Sequence, residues 1–207
     1  MRITRRDFGK AAAAALPAGR LLAKPDSRFN GVQIGVITYS FRALPGSAEE
    51  TLKYCVDCGI SAIELMSNVA ESYAGAPLPQ MRPFGGPPPK GAGGPPKGAG
   101  GGRPQMTPEQ MEARRKQAEA LRAWRLAAPM AKYKEFRRMY EDAGVKIYCF
   151  KLPPTMEMPD AEYDYIWNVA ETLGADHITM ELPTQDELLA RVAEFAAKRR
   201  LAIAVHT

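Results

Sequence analysis

The sequence predicts an α/β fold of the (β/α)8 TIM-barrel type, with about five of the eight βα units present. Three observations carry this prediction. Short apolar runs rich in branched residues alternate with longer stretches of helical period, the pattern of repeated βα units. Strand starts recur about 30 residues apart once one insertion and one long helix are set aside, which is the size of a βα unit. The first βα turn, after YSFRALPGS, lacks a Gly-x-Gly-x-x-Gly fingerprint, which weakens the open dinucleotide-binding sheet and favours a barrel.

The expected strands are, in order, Gln33 to Ser40, Ser61 to Met66, Lys146 to Leu152, His177 to Leu182 and Leu201 to His206. Helix signals fall between them. Ser47 and Glu50 form a capping box before a helix over Thr51 to Cys58, and Gly59 ends it. Thr107, Pro108 and Gln110 open a long helix to about Ala127, and Pro129 restarts a second that ends at Gly144. Asp160 is expected to cap a helix ending at Gly174, and Thr184 with Glu187 to cap the last one. A (β/α)8 barrel needs roughly 250 residues and eight strands. The present chain of 207 residues reaches only a fifth strand and is expected to be the N-terminal part of a longer barrel.

Residues 1–23 read as a twin-arginine export signal. Arg5 and Arg6 precede Asp7, Phe8, Gly9 and Lys10, and the Ala-rich stretch Ala11 to Ala15 follows. The apolar stretch is broken by Pro17, Gly19 and Arg20 and is too short to span a bilayer. Cleavage is expected near Ala23, with the mature protein periplasmic or secreted. Removing this segment takes away five basic groups and one acidic group, so the formal charge falls from +5 to +1. A near-neutral mature chain gives no reason to expect a nucleic-acid partner, and no later run is long and apolar enough for stable membrane insertion.

Residues 74–104 hold 10 of the 18 Gly and 9 of the 18 Pro. Such a segment cannot bury enough apolar surface to offset its ordering entropy, and it reads as a flexible, disordered surface insertion within the barrel domain of residues 31–207. Its GGPPKGAGG-like near-repeats lack the flanking strand and helix of a phosphate loop. Cys55 and Cys58 form a Cys-x-x-Cys at the end of a helix rather than the start, where a redox pair would sit, and with no second pair at zinc-site spacing. They read as small buried hydrophobes, with a disulfide left open in an oxidising compartment. Trp124, Trp167 and the Met residues read as core or helix-packing groups.

In a barrel the chemistry lies at the C-terminal ends of the strands. Glu64 stands among Ile63, Leu65 and Met66, where a carboxylate is costly without a partner; a structural ion pair with Lys or Arg is one reading of it. His177, Thr179 and Glu181 share one face of the fourth strand by the period of two. His177 lies at the strand's start and reads as structural, whereas Glu181 and the fifth strand's His206 lie at the functional end. Lys151 ends the third strand, and Tyr39 and Ser40 end the first. Carboxylate, imidazole and ammonium groups on one mouth are the equipment for binding a divalent metal and for moving a proton beside a carbonyl.

The segments IGVITYSF, GISAIELM, GVKIYCFKL, GADHITMELP and LAIAVHT, in that order, resemble the xylose isomerase-like TIM barrels. This superfamily includes sugar phosphate isomerases and epimerases, hydroxypyruvate isomerase, tagatose epimerase and the endonuclease IV type of DNA-repair enzyme. The resemblance covers about residues 31–207. It implies isomerisation or epimerisation of a sugar through an enediolate, with a divalent metal (Mn, Mg or Zn) polarising the substrate and glutamates moving the proton. On this chain it implies Glu181, Glu64 and Lys151 as catalytic, Tyr39, Glu64 and Lys151 as substrate-binding, and His206 and Glu181 as metal ligands. His206 stands where many relatives have Glu. The expected partner is a free sugar or sugar derivative rather than a phosphorylated one, and a homo-oligomer is expected because barrels commonly associate through apolar faces. The alternative is a non-catalytic carbohydrate-binding or truncated barrel protein. DNA repair is opposed by export and by the small mature charge.

Overall fold

The computed structural model describes residues 24–78, 107–199 and 201–206. The expected export signal lies outside these residues, as does the Gly/Pro-rich insertion beyond Leu78.

The described chain opens with a two-stranded antiparallel hairpin, β1 (Arg28–Phe29) and β2 (Val32–Gln33). Its turn is Asn30–Gly31, both at positive φ, the two-residue arrangement that matches the twist of adjoining strands. Ser27 fastens the hairpin's base. Its backbone N–H donates to the Ser61 hydroxyl at 3.0 Å, and its own hydroxyl donates to the Ile34 carbonyl at 2.6 Å.

A five-stranded parallel sheet follows: β3 (Val36–Ile37), β4 (Ala62–Met66), β5 (Lys146–Lys151), β6 (His177–Glu181) and β7 (Ala202–His206). The strands lie side by side in chain order, all parallel. A doubly wound sheet reverses direction at a switch point; this one advances by one strand at each crossover, as a barrel wall does. The register between β4 and β5 slips between Ile63 and Glu64, so Tyr148 is the extra residue of a bulge in β5.

Six helices accompany the strands in the described residues: α1 (Ala48–Asp57), α2 (Ser67–Tyr73), α3 (Pro108–Leu126), α4 (Met130–Asp142), α5 (Asp160–Leu173) and α6 (Asp186–Arg199). The expected capping box at Ser47 with Glu50 is formed, and Thr107 with Gln110 forms another at the start of α3. Gly174 closes α5 in the left-handed conformation at φ 73°, which Gly adopts without Cβ strain. The core lies between the helices and the outer face of the sheet. Ile63, Leu65, Ile147, Phe150, Ile178 and Met180 point outward from the strands and meet Phe136 and Tyr140 of α4, Ile166 and Trp167 of α5 and Cys55 of α1, all nearly inaccessible. Burying one such side chain contributes about 1.5–3 kcal/mol, so this layer is the main stabilising element.

Four expectations are corrected. The first strand is not continuous over Gln33 to Ser40. It is divided into β2 and β3, because the Ile34 N–H turns back to the Ser27 carbonyl at 2.9 Å, and Thr38–Phe41 form a 3₁₀ turn. Asp160 does not cap α5: the N-cap is Pro159, and the Asp160 carboxylate pairs with Arg191 at 2.6 Å instead. The cysteines are not both buried; Cys55 is, and Cys58 is exposed, since the helix end turns it outward. Not every Met packs inside, since Met111 and Met156 are exposed.

Candidate active site on the concave face of the sheet

The inner face of the sheet is polar. Period-two alternation places Glu64 of β4, Cys149 and Lys151 of β5, His177, Thr179 and Glu181 of β6, and His206 of β7 on the face opposite the core residues. Two side-chain contacts show how strongly the sheet curls. The Thr179 hydroxyl donates to Glu64 Oε1 at 2.7 Å, and His206 Nε2 lies 3.1 Å from the same oxygen. In a flat sheet β4 and β6 are about 10 Å apart, and β4 and β7 about 14 Å. Perpendicular side chains could not bridge those gaps, so the wall bends inward as in a barrel and brings its polar face to a focus.

Glu64 takes both of these bonds on Oε1, and among the described residues none is made to Oε2. Its side chain is 17% exposed, and that of His206 is 41% exposed. The carboxylate in the apolar run of β4 therefore has partners, and they are a hydroxyl and an imidazole rather than Lys or Arg.

Glu181 and His206 are opposite one another in the β6–β7 register. Glu181 Oε1 accepts from Lys151 Nζ at 2.8 Å, with the Lys151 side chain 10% exposed and that of Glu181 67% exposed. The bond from Lys151 is the first cause holding the Glu181 carboxyl below its usual range, and the charges of Lys151 and His206 add to it. A buried ammonium is thus presented to the mouth through an exposed carboxylate. Cys149 lies in register with Glu64; burial first, then the Glu64 and Asp176 charges, push its thiol up to about 11.

Of the sequence-predicted residues, Glu64, Glu181, Lys151 and His206 therefore meet on one face at the C-terminal half of the strands. Tyr39 stands apart from their bonds. It is on the 3₁₀ turn after β3 rather than at a strand end, half exposed, with the Arg42 guanidinium 4.7 Å above its ring. His177 is at the start of β6 with Nδ1 buried and unpartnered, tilted against the Tyr148 ring.

The donor set suits a borderline cation, but the described residues do not make a complete centre. No three His, Cys, Asp or Glu side chains among them form a group that could hold a metal ion. His206 is turned to Glu64 and Glu181 to Lys151.

A second polar cluster was not foreseen. Arg125 of α3 is bound to Glu71 of α2 through Nε at 2.7 Å and Nη2 at 3.3 Å, and to Glu162 of α5 through Nη1 at 3.3 Å. Arg122 adds a 2.7 Å bond to Glu162, and the Tyr165 hydroxyl donates to Glu71 at 3.0 Å. Glu71 and Glu162 are almost fully buried. Burial works to lower the Arg125 pKa, and the bonds and charge of Glu71, together with Tyr165 and Glu162, outweigh it, holding the guanidinium above its usual value. This network ties the helices on either side of the Gly/Pro-rich insertion to α5. Glu71 sits seven residues beyond Glu64, on the helix that follows β4.

No family model matches the sequence, and no curated protein matches it. The structure is similar to an uncharacterized protein of Parabacteroides distasonis (TM-score 0.49, 16% identity, 84% of this chain and 52% of that one). It is also similar to the probable 3-DHS dehydratase AsbF of Bacillus anthracis (TM-score 0.44, 9% identity, 84% and 52%). A third is a sugar phosphate isomerase/epimerase of Parabacteroides distasonis (TM-score 0.43, 15% identity, 87% and 53%). The chain spans about half the length of these solved structures.

Proposed function

We propose that the chain is an exported sugar isomerase or epimerase-like enzyme that moves a proton beside a carbonyl on a free sugar or sugar derivative. The observation that carries this reading is the convergence of two carboxylates, a buried ammonium and an imidazole on the concave face of a parallel sheet, toward the strand ends. Glu64 Oε2 takes the proton from the carbon next to the carbonyl, and negative charge gathers on the carbonyl oxygen. Lys151 is the cation that stabilises that charge. Glu64 returns that proton to the neighbouring carbon for isomerisation, while the ionised Glu181 passes the hydroxyl proton from one oxygen to the other. For epimerisation water protonates the opposite face of the same carbon and Glu64 gives its proton back to water, so protons balance over the cycle. The exposed Tyr39 ring offers an apolar face to the sugar. A divalent metal belongs to the same proposal through His206 and Glu181, each able to give one ligand; it would supply polarisation of the carbonyl.

The test is a product screen. The full chain is incubated with free aldoses, ketoses and sugar acids, with manganese or with a chelator, and the mixtures are read by ¹³C NMR. New epimer or isomer signals that vanish in Glu64→Gln and Glu181→Gln are the expected result. A sugar that raises the thermal midpoint but is never converted would make the chain a carbohydrate-binding barrel instead. Neither stabilisation nor conversion would remove the sugar reading.

A further inference from the structure

We propose that Thr179 is the positioning residue that makes Glu64 a one-sided base, an inference that rests on the reading of Glu64 as the proton acceptor. Glu64 receives two bonds, and both fall on Oε1: the Thr179 hydroxyl at 2.7 Å and His206 Nε2 at 3.1 Å. A carboxylate gripped at one oxygen by two groups from two other strands cannot rotate without breaking both. Its second oxygen is left as the one presented to a ligand on the concave face. Of the two partners, Thr179 is the fixed one. It is 3% exposed on the central part of β6, and its β-branched side chain has few rotamers. His206 is 41% exposed on the outer strand of the described sheet and is the partner more free to move. The hydroxyl has to be the donor here, since an ionised carboxylate has no proton to give. Thr179 touches no substrate in this scheme; it acts through Glu64.

The test compares Thr179→Val, which keeps the shape and removes the hydroxyl, with Thr179→Ser, which keeps the hydroxyl. Thr179→Ala is added as a second hydroxyl-free variant, and thermal melts establish which variants fold. The chain has two histidines, so a ¹⁵N-imidazole NMR spectrum contains two rings and His177→Asn assigns them. The expected result is that Thr179→Val or Thr179→Ala moves the His206 signals toward those of Glu64→Gln, while Thr179→Ser leaves them as in the wild type. His206 signals unchanged in a folded hydroxyl-free variant would overturn the proposal, because Glu64 would then hold its place without Thr179. This readout needs no substrate. On a sugar that the wild type converts, kcat should fall by roughly a hundredfold with KM little changed, and Ser should restore it. A wild type that converts nothing would count against the enzymatic reading alone, and the NMR comparison would still decide the role of Thr179.

Discussion

Replacing Arg125 with Met is expected to be the most damaging single change among the polar residues of this fold. Arg125 makes three bonds to two carboxylates, at 2.7 and 3.3 Å to Glu71 and 3.3 Å to Glu162. Glu162 keeps its 2.7 Å bond to Arg122 in the variant. Among the described residues Glu71, 1% exposed, then keeps only the Tyr165 hydroxyl and is left as a buried carboxylate without a cation. Breaking a buried pair in this one-sided way costs about 3–5 kcal/mol, a fifth or more of the ~5–15 kcal/mol that holds a typical domain. With a urea slope of about 2 kcal/mol per molar, the midpoint should fall by about 2 M. Urea unfolding of the full chain followed by tryptophan fluorescence reads it directly. Adding Glu71→Gln to Arg125→Met should recover part of the loss, because the buried group is then neutral. A loss below about 1 kcal/mol would refute the reasoning, since it would mean that Glu71 finds water or another cation at no cost.

Other outcomes follow from the same structure. Tyr133, Tyr140 and Tyr165 are held above the usual phenol range, burial being the first cause for each. The unfolded chain therefore ionises first as pH rises, and their contribution is full below about pH 10, where a free phenol titrates. Urea midpoints should decline as the pH is raised beyond that, and a flat profile to pH 11 would contradict the burial. The Cys55 thiol is pushed up to about 12 by burial and then by Cys58. Iodoacetamide at pH 8 should therefore label exposed Cys58 and leave Cys55 unmodified, as read by peptide mass. Lys151→Met should return the Glu181 carboxyl toward the ordinary range in an NMR titration, since Lys151 is the first cause of its depression. The stability linked to that depression is present above the unfolded pKa and lost as pH falls through the folded one. With Glu181 67% exposed, the stability change should be small.

The fold was legible where local signals were strong. The capping boxes at Ser47 and Thr107 and the alternation in GADHITMELP fix where elements begin and which face each residue takes. The order of the five strands followed from the sequence of βα units, because short right-handed crossovers place consecutive strands side by side. The first strand reads as continuous in the sequence because Ile34, Val36 and Ile37 continue its apolar pattern. The Asn30–Gly31 hairpin signal just before it was present in the sequence, and Ser27 draws the chain back across it. The candidate site was legible as a set of residues and not as a geometry. Period two puts Glu64 and His206 on the inner face, but their contact joins positions 142 apart and depends on the curl of the whole sheet. The Glu71–Arg125 pair, 54 positions apart and separated by the insertion, had no local pattern to announce it. Strand extrapolation puts Tyr39 at a strand end, and the 3₁₀ turn at Thr38–Phe41 redirects it. Thr38 fastens that turn by accepting the Met66 N–H on its hydroxyl at 2.9 Å, a side-chain bond that no periodicity encodes.

The most direct test of the central claim, that Glu64 on the concave face takes a proton from a carbon beside a carbonyl, is deuterium wash-in from heavy water. Ketoses and keto-sugars are incubated with the full chain, and loss of the proton signal next to the carbonyl is followed by ¹H NMR, in parallel with Glu64→Gln. The account predicts exchange with the wild type on at least one sugar and a fall of about 10²–10⁴-fold with Glu64→Gln, the size of a general-base contribution. Exchange at the same rate in the two proteins would contradict it.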